Sequence, residues 1–354
     1  MDQLYPYAYY SSIDGFWLAG HYGWYSPMGV TERPEPNFAS GRLDAGASTK
    51  GSYLVSVDAQ APAYWDGWRL GLTLTAARAN RLGYYGQGNA TTYDADSVTP
   101  ASPYFYRVSR TTQSARLTLQ RRVTGPLRVL VGATLEHTDF RELPGQSRFR
   151  NDHAAGVVDS GQVPFGDRVV RGAVVLDWRD QEIDPHRGVF AEALVARGRG
   201  YTRTTGAVRV YLHPVAKLML AARVGAERMT GTPPVAAQMT MESSEEPFIA
   251  VGGYRSLRGY YDARFLGPGK LIGGAEARYA VAWAPRLLEI KLVAFYDVGR
   301  VFGPGEKVRL TSDGLHRSGG GEIAIALMRN TLFVLGAGRG SEGTQLLFAT
   351  SWSY

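Results

Sequence analysis

The sequence predicts an all-β protein: a transmembrane antiparallel β-barrel of sixteen strands, with residues 1–354 as a single domain. Three observations carry that prediction. Segment after segment alternates apolar and polar residues with a period of two, which sets one strand face against an apolar medium and the other against a polar one. No run of 18 or more apolar residues occurs, so no helix in the chain is built to cross a bilayer. The alternation is accompanied by 43 glycines, 21 tyrosines and 7 tryptophans, and barrels in lipid concentrate aromatic residues at the two membrane interfaces.

The alternation is plainest in four stretches. Leu70, Leu72, Leu74 and Ala76 share one face, opposite Arg69, Gly71, Thr73 and Thr75. Ala115, Leu117 and Leu119 oppose Ser114, Arg116, Thr118 and Gln120. Leu127, Val129, Val131, Ala133 and Leu135 oppose a mixed face that carries Arg128, Thr134 and Glu136. Leu218, Leu220, Ala222 and Val224 oppose Lys217, Arg223 and Glu227. A helical reading fails, because the charged residues would fall on every side of a 3.6-residue wheel.

In order, the strands are expected at residues 4–11, 16–26, 38–49, 53–62, 68–81, 104–123, 127–141 and 167–180. The second half adds 188–199, 202–213, 216–229, 269–283, 290–302, 319–327, 331–339 and 344–354. An even number returns both chain ends to one side. The connections alternate as well: short at 124–126, 213–215 and 328–330, long at 82–103, 142–166 and 230–268. Short turns on the periplasmic side and longer loops outside are the usual barrel asymmetry. The first residues, MDQLYPYAYY, lack the basic start and apolar core of an export signal. A mature or truncated chain is therefore expected.

Composition also excludes classes. The absence of cysteine rules out a disulfide framework and Cys-ligated zinc or iron–sulfur sites. The net charge of +7 does not point to nucleic acid. Arg116, Arg128, Arg171, Arg209, Arg223 and Arg278 recur singly among apolar neighbours, which suits a polar lumen or strand ends rather than a phosphate-binding patch. The six histidines, at 21, 137, 153, 186, 213 and 316, show no ligand spacing, so no metal is expected. No nucleophile elbow and no Ser/His/Asp set on one strand face is present. The glycine run Gly319–Gly321 opens a strand rather than a helix, which argues against a phosphate loop. The expectation is a protein that is not an enzyme and holds no cofactor.

The organising stretch is GGYRSLRGYYDARFLGPGK, residues 252–270. It places Arg258 beside Gly259 in a connection far longer than a hairpin needs. Parity puts Glu276 on the inward face of its strand with Lys270 and Arg278, opposite Leu271, Ala275, Ala277, Tyr279, Val281 and Trp283. Parity likewise puts Asp297 inward with Lys291, Val293, Phe295 and Gly299. Both carboxylates thus point into the lumen, where a folded-in loop 230–268 presents Arg258. Arginine cannot shed its charge, so a dehydrated guanidinium needs such partners. Gly274 and Gly299 leave room for close approach, and Gly259 allows a tight turn.

These residues carry a resemblance. Leu257, Arg258, Gly259 and Tyr260 resemble the Val-Arg-Gly-Tyr or Val-Arg-Gly-Phe motif of the outer-membrane insertase/translocase superfamily that includes BamA, TamA and the two-partner secretion transporters, the surface-antigen barrels. The family's Gly-x-x-Glu strand is matched by Gly273 and Glu276, and its Phe-x-Asp-x-Gly strand by Phe295, Asp297 and Gly299. Residues 168–190 resemble the strand–turn–strand region ahead of the motif, and the resemblance spans about 167–354.

The resemblance implies a bacterial outer-membrane barrel that assists insertion, assembly or translocation of polypeptides. It also implies a weak seam between the first and last strands. The first contains Pro6, which cannot donate to a ladder. The last alternates aromatics at Phe348, Trp352 and Tyr354. A client strand could be templated there by β-augmentation. Two departures are expected to matter: the chain has no periplasmic POTRA domain, and it carries Ala349 and a final Tyr where the usual C-terminal signal has Gly and Phe. The implied partners are outer-membrane lipids, unfolded client polypeptides, or a periplasmic or lipoprotein component. The alternative is a structural or anchoring barrel that works with a separate domain. A passive pore is disfavoured, because loop 230–268 should plug it.

Overall fold

The two-residue alternation becomes a meander in which each strand pairs with its neighbours in the chain. The computed structural model describes residues 2–11, 13–27, 34–35, 37–284, 287–327 and 331–354. The first half contains β1 (Asp2–Ser11), β2 (Gly15–Pro27), β3 (Asn37–Ser48), β4 (Tyr53–Trp65), β5 (Trp68–Gly83), β6 (Arg107–Thr124), β7 (Leu127–Arg141) and β8 (Phe165–Arg179). Then come β9 (Gly188–Gly198), β10 (Tyr201–Val215) and β11 (Leu218–Gly231). Two short strands follow, β12 (Thr240–Met241) and β13 (Phe248–Ile249). The chain continues as β14 (Gly269–Ala284), β15 (Leu288–Phe302), β16 (His316–Leu327), β17 (Thr331–Gly340) and β18 (Gly343–Ala349). β12 and β13 pair only with each other, inside a loop; the other strands form one antiparallel sheet in strict chain order. No ladder joins β1 to β18 among the described residues, and Asp2 through Tyr10 are all exposed.

The sheet curls around a polar interior. Outward positions carry an apolar belt, with Trp178, Tyr279 and Trp283 exposed towards the chain-end side. Inward positions carry the charges: Arg128, Arg171, Arg209, Glu227, Lys270, Glu276 and Asp297 are all buried. Leu271 departs from its expected outward exposure and is buried. It sits near the strand end that the 303–315 connection folds over, where Val308 lies against Gly269.

Several expected boundaries move, among them the end of β4, at Trp65 rather than 62, and the start of β16, at His316 rather than 319. β6 starts at Arg107 rather than 104. β10 runs through the turn expected at 213–215 and reverses at Ala216–Lys217. Its register slips between Leu212 and Val215, so Pro214, which has no N–H to donate, falls in an irregular stretch. β18 ends at Ala349 instead of continuing to 354. The turn expected at 328–330 lies outside the described residues.

The long connections lie together on one side. Loop 84–106, the loop carrying helix α1 (Arg148–Ala154) and loop 232–268 share a core of Tyr84, Phe149, Val158, Val235, Met239 and Leu266. Loop 232–268 then descends into the barrel, as expected. Its tip is held across the lumen by Arg116 on Glu242, by Arg179 and Arg209 on Glu245, and by the Glu192 carboxylate on the Ser244 amide. Two lumen cavities, of about 510 and 650 Å³, flank this tip and share Arg42, Thr73, Arg116 and Glu246 in their walls.

Candidate functional site: an arginine held by three strands

Arg258 is fully buried at the base of the loop. Its Nε and Nη2 donate to the two oxygens of Asp297 on β15, at 2.8 and 2.9 Å. Its backbone N–H donates to Asp297 as well, at 3.2 Å. Nη1 donates to Glu276 Oε1 on β14 at 2.6 Å and to Glu322 Oε1 on β16 at 3.3 Å. The guanidinium lies 3.7 Å from the Phe295 ring centroid. The fork of the guanidinium suits a bidentate carboxylate, which a lysine cannot match. One loop residue thereby ties three consecutive strands together.

Steric requirements explain the glycines around it. A Cβ on Gly259 would sit 2.5 Å from the Arg339 carbonyl carbon and the Gly340 nitrogen. Gly259 is not among the residues with positive φ, so the expected tight-turn role is corrected: glycine is needed there because loop backbone presses on β17. A Cβ on Gly274 would meet Asp297 Oδ1 at 2.7 Å, and one on Gly299 would meet Val251 at 2.7 Å. The room expected at those two positions is thus used. The left-handed glycines of the loop are Gly252 and Gly253.

The other motif residues extend the contact. Leu257 is buried in the loop's own core with Val251 and Phe265. The Tyr260 hydroxyl pairs with Ser341 Oγ at 2.9 Å and accepts from the Ser341 amide, which fixes the β17–β18 turn to the loop. Gly273 packs tightly against Val298. Glu276 has a second cation, with Arg278 Nε donating at 2.7 Å.

The C-terminal aromatics divide. Phe348 faces out and is 68% exposed. Trp352 and Tyr354 are corrected: both are 5% exposed and lie inside the lumen. β18 parts from β17 after Ala349 pairs with Val334, and no ladder forms on its other edge among the described residues. The chain then turns inward. Trp352 stacks on Arg278 at 3.6 Å and donates its indole N–H to Asp184 at 2.8 Å. Arg223 lies 4.3 Å from the Tyr354 ring and donates to Ser353 O. The Tyr254 hydroxyl from the loop donates to Ser351 O.

Sequence reasoning missed Glu322, Arg278 and Asp184 as members of the network. Glu322 was within reach, since Ser318, Glu322 and Ala324 form one buried face of β16. It also overlooked a second cluster in the 180–187 turn. There Lys291 Nζ lies 2.6 Å from Asp184 and 3.2 Å from Glu289, with His186 alongside. The donor atoms of Asp184, His186 and Glu289 approach within 4.8 Å of one another, but the lysine ammonium already supplies the cation there. Hydrogen bonds to Asp184 and Glu289 raise the His186 pKa to about 9. Burial opposes ionisation of Asp184, yet His186 and Lys291 hold its pKa below the usual carboxylate range.

An outward apolar belt, a charged lumen and a loop held inside by buried ion pairs define a membrane β-barrel with an internal plug. The chain belongs to the Omp85 superfamily: the model of the Omp85 superfamily domain matches residues 39–340. Among solved structures, BamA from Haemophilus ducreyi lacking POTRA domains 1-3 aligns with a TM-score of 0.57 at 12% identity, covering 98% of this chain and 68% of that one. CdiB from Escherichia coli aligns with a TM-score of 0.58 at 11% identity, covering 99% and 60%. CdiB from Acinetobacter baumannii gives 0.51 at 12% identity, covering 96% and 55%. The chain thus spans between about half and two thirds of these solved chains. No curated protein matches the sequence.

Proposed function

We propose that this barrel assists the insertion, assembly or translocation of polypeptides at the bacterial outer membrane, and that it does so by conformational work rather than by catalysis. The observation that carries the reading is the seam. β1 and β18 each present an edge with no ladder between them among the described residues, while the tail after β18 is drawn into the lumen. An unpaired edge can template a client strand through backbone hydrogen bonds. The Arg258 network would keep β14 to β16 rigid while the seam moves. The partners of this reading are outer-membrane lipids and unfolded client chains.

The test is a client-folding assay. The purified protein is placed in liposomes, an unrelated unfolded barrel is added, and its folding rate is compared with that in empty liposomes. Acceleration that disappears in an Arg258→Ala variant, and in a barrel whose β1 and β18 are cross-linked by an engineered disulfide, supports the reading. No acceleration by a folded barrel sinks it in favour of an anchoring role beside a periplasmic component. Undiminished activity of the locked barrel removes the seam mechanism.

A further inference from the structure

The outward face of the barrel is asymmetric in a way that the lumen network does not explain. At the long-loop end, Arg168, Arg197, Arg228, Arg300, Arg317 and Arg339 all occupy outward positions, on β8, β9, β11, β15, β16 and β17. The registers bring them to a common height: Arg197 pairs with Val170, Arg228 with Thr204, Arg317 with Val298 and Arg339 with Gly319. All except the half-buried Arg300 are exposed. None of the six has a carboxylate within ion-pair distance among the described residues, whereas the lumen arginines Arg203, Arg258 and Arg278 all do. The opposite rim is aromatic instead, with Trp65, Trp68, Trp178 and Trp283 exposed.

Between β4 and β9 this end also carries a shallow outward groove of about 1210 Å³. Leu74, Ala115, Leu135 and Val170 line its apolar part, and Arg168 and Arg197 lie in its wall. Two carboxylates behind the groove are engaged with other donors. Asp167 accepts from the Tyr201 hydroxyl and from the Arg168 and Arg199 amides, and Glu136 accepts from Thr138. Arginine at the edge of an apolar belt extends its head to the polar interface, where a phosphate is its best-matched anion.

We propose that Arg168 and Arg197, with the groove below them, bind a phospholipid of net negative charge, whose phosphate has no covalently attached cation, in the leaflet on the long-loop side. The acyl chain lies along Leu135 and Val170, and the headgroup phosphate lies on the two guanidiniums. Arg228, Arg317 and Arg339 continue the positive rim around the wall. This inference does not depend on the polypeptide-handling reading.

The chain has no cysteine, so single labels are simple to place. A bimane is attached at Val195→Cys on β9 and, in a separate protein, at Leu18→Cys on the outward face of β2. Each protein is reconstituted in phosphatidylcholine vesicles holding the same fraction of brominated phosphatidylglycerol or of brominated phosphatidylcholine. The expected result is stronger quenching by the anionic lipid at β9 only, with a local enrichment of roughly fivefold, the scale of one cation at an anionic surface. Arg168→Gln with Arg197→Gln should abolish the excess, while Arg→Lys at both sites should retain most of it. Inorganic phosphate at millimolar concentration should not displace it. Equal quenching by the two lipids at β9, or an excess that survives the double Gln variant with the barrel folded, overturns the proposal. Displacement by inorganic phosphate overturns it too, since the site would then be one for the free anion.

Discussion

Arg258 is worth more as a partner than as a charge. Its removal leaves Asp297 and Glu322 buried without the cation they share, with only Arg278 still on Glu276, and breaking a buried pair of this kind typically costs about 3–5 kcal/mol. Arg258→Ala is therefore expected to lower the thermal midpoint of barrel unfolding, read from the shift in gel mobility of heated samples. Arg258→Lys should recover only part of the loss, because an ammonium cannot span both oxygens of Asp297. Gly259→Ala tests a different contact, the approach of loop backbone to β17. It should cost about 1–3 kcal/mol by overpacking and make loop 232–268 accessible to added protease; an unchanged digestion pattern would show that β17 yields. Glu276 and Asp297 were legible in the sequence because parity on a strand fixes which way a side chain points, and Arg258 because it stands in an over-long loop within a motif that resembles the family's. Gly259 was not legible in the same way. Its neighbour on β17 is some eighty residues distant, and no local pattern announces a backbone contact.

At the scale of elements, the strands could be read from the sequence and their ends could not. Alternation locates β7 to the residue, since both flanks change character at once. It fails at β18, because the apolar spacing continues through Trp352 and Tyr354 while the backbone leaves the sheet. Periodicity reports the environment of side chains, and a buried lumen can supply the same apolar contact as lipid. The turn between β8 and β9 offers a pH test of how this inward tail is held. The His186 pKa is raised above its ordinary 6.5 to about 9. Its charged form therefore stabilises the fold fully below pH 6.5, and that contribution is lost as pH rises through 9. The wild type should lose more stability than His186→Gln between pH 6.5 and 9. Parallel curves for the two proteins would assign no role to the imidazolium.

For the whole molecule, the plug is joined to the barrel wall by ion pairs, and among the described residues two cavities flank its tip. The tip at residues 242–247 separates the cavities and is anchored by Arg116, Arg179 and Arg209. Replacing those six residues with Asn-Gly should merge the cavities, and single-channel conductance in planar bilayers should rise clearly above that of the wild type. A conductance equal to that of the wild type would place the barrier elsewhere in the loop. That the loop would fill the lumen could be argued from its length and its arginine. Which wall positions would hold its tip could not, because Arg116, Arg179 and Arg209 look alike in sequence to arginines that hold nothing.

The site around Arg258 also imposes an order of events. The arginine comes first in the chain, and its three carboxylates follow 18, 39 and 64 residues later. A polypeptide emerging from its N-terminus delivers β1 to β11 before this cation, which then waits without its full set of partners until β14, β15 and β16 have followed. The plug can be locked only after β16 has arrived, so seating the loop is among the last steps of assembly, and a chain interrupted before Glu322 would hold an unfinished clasp.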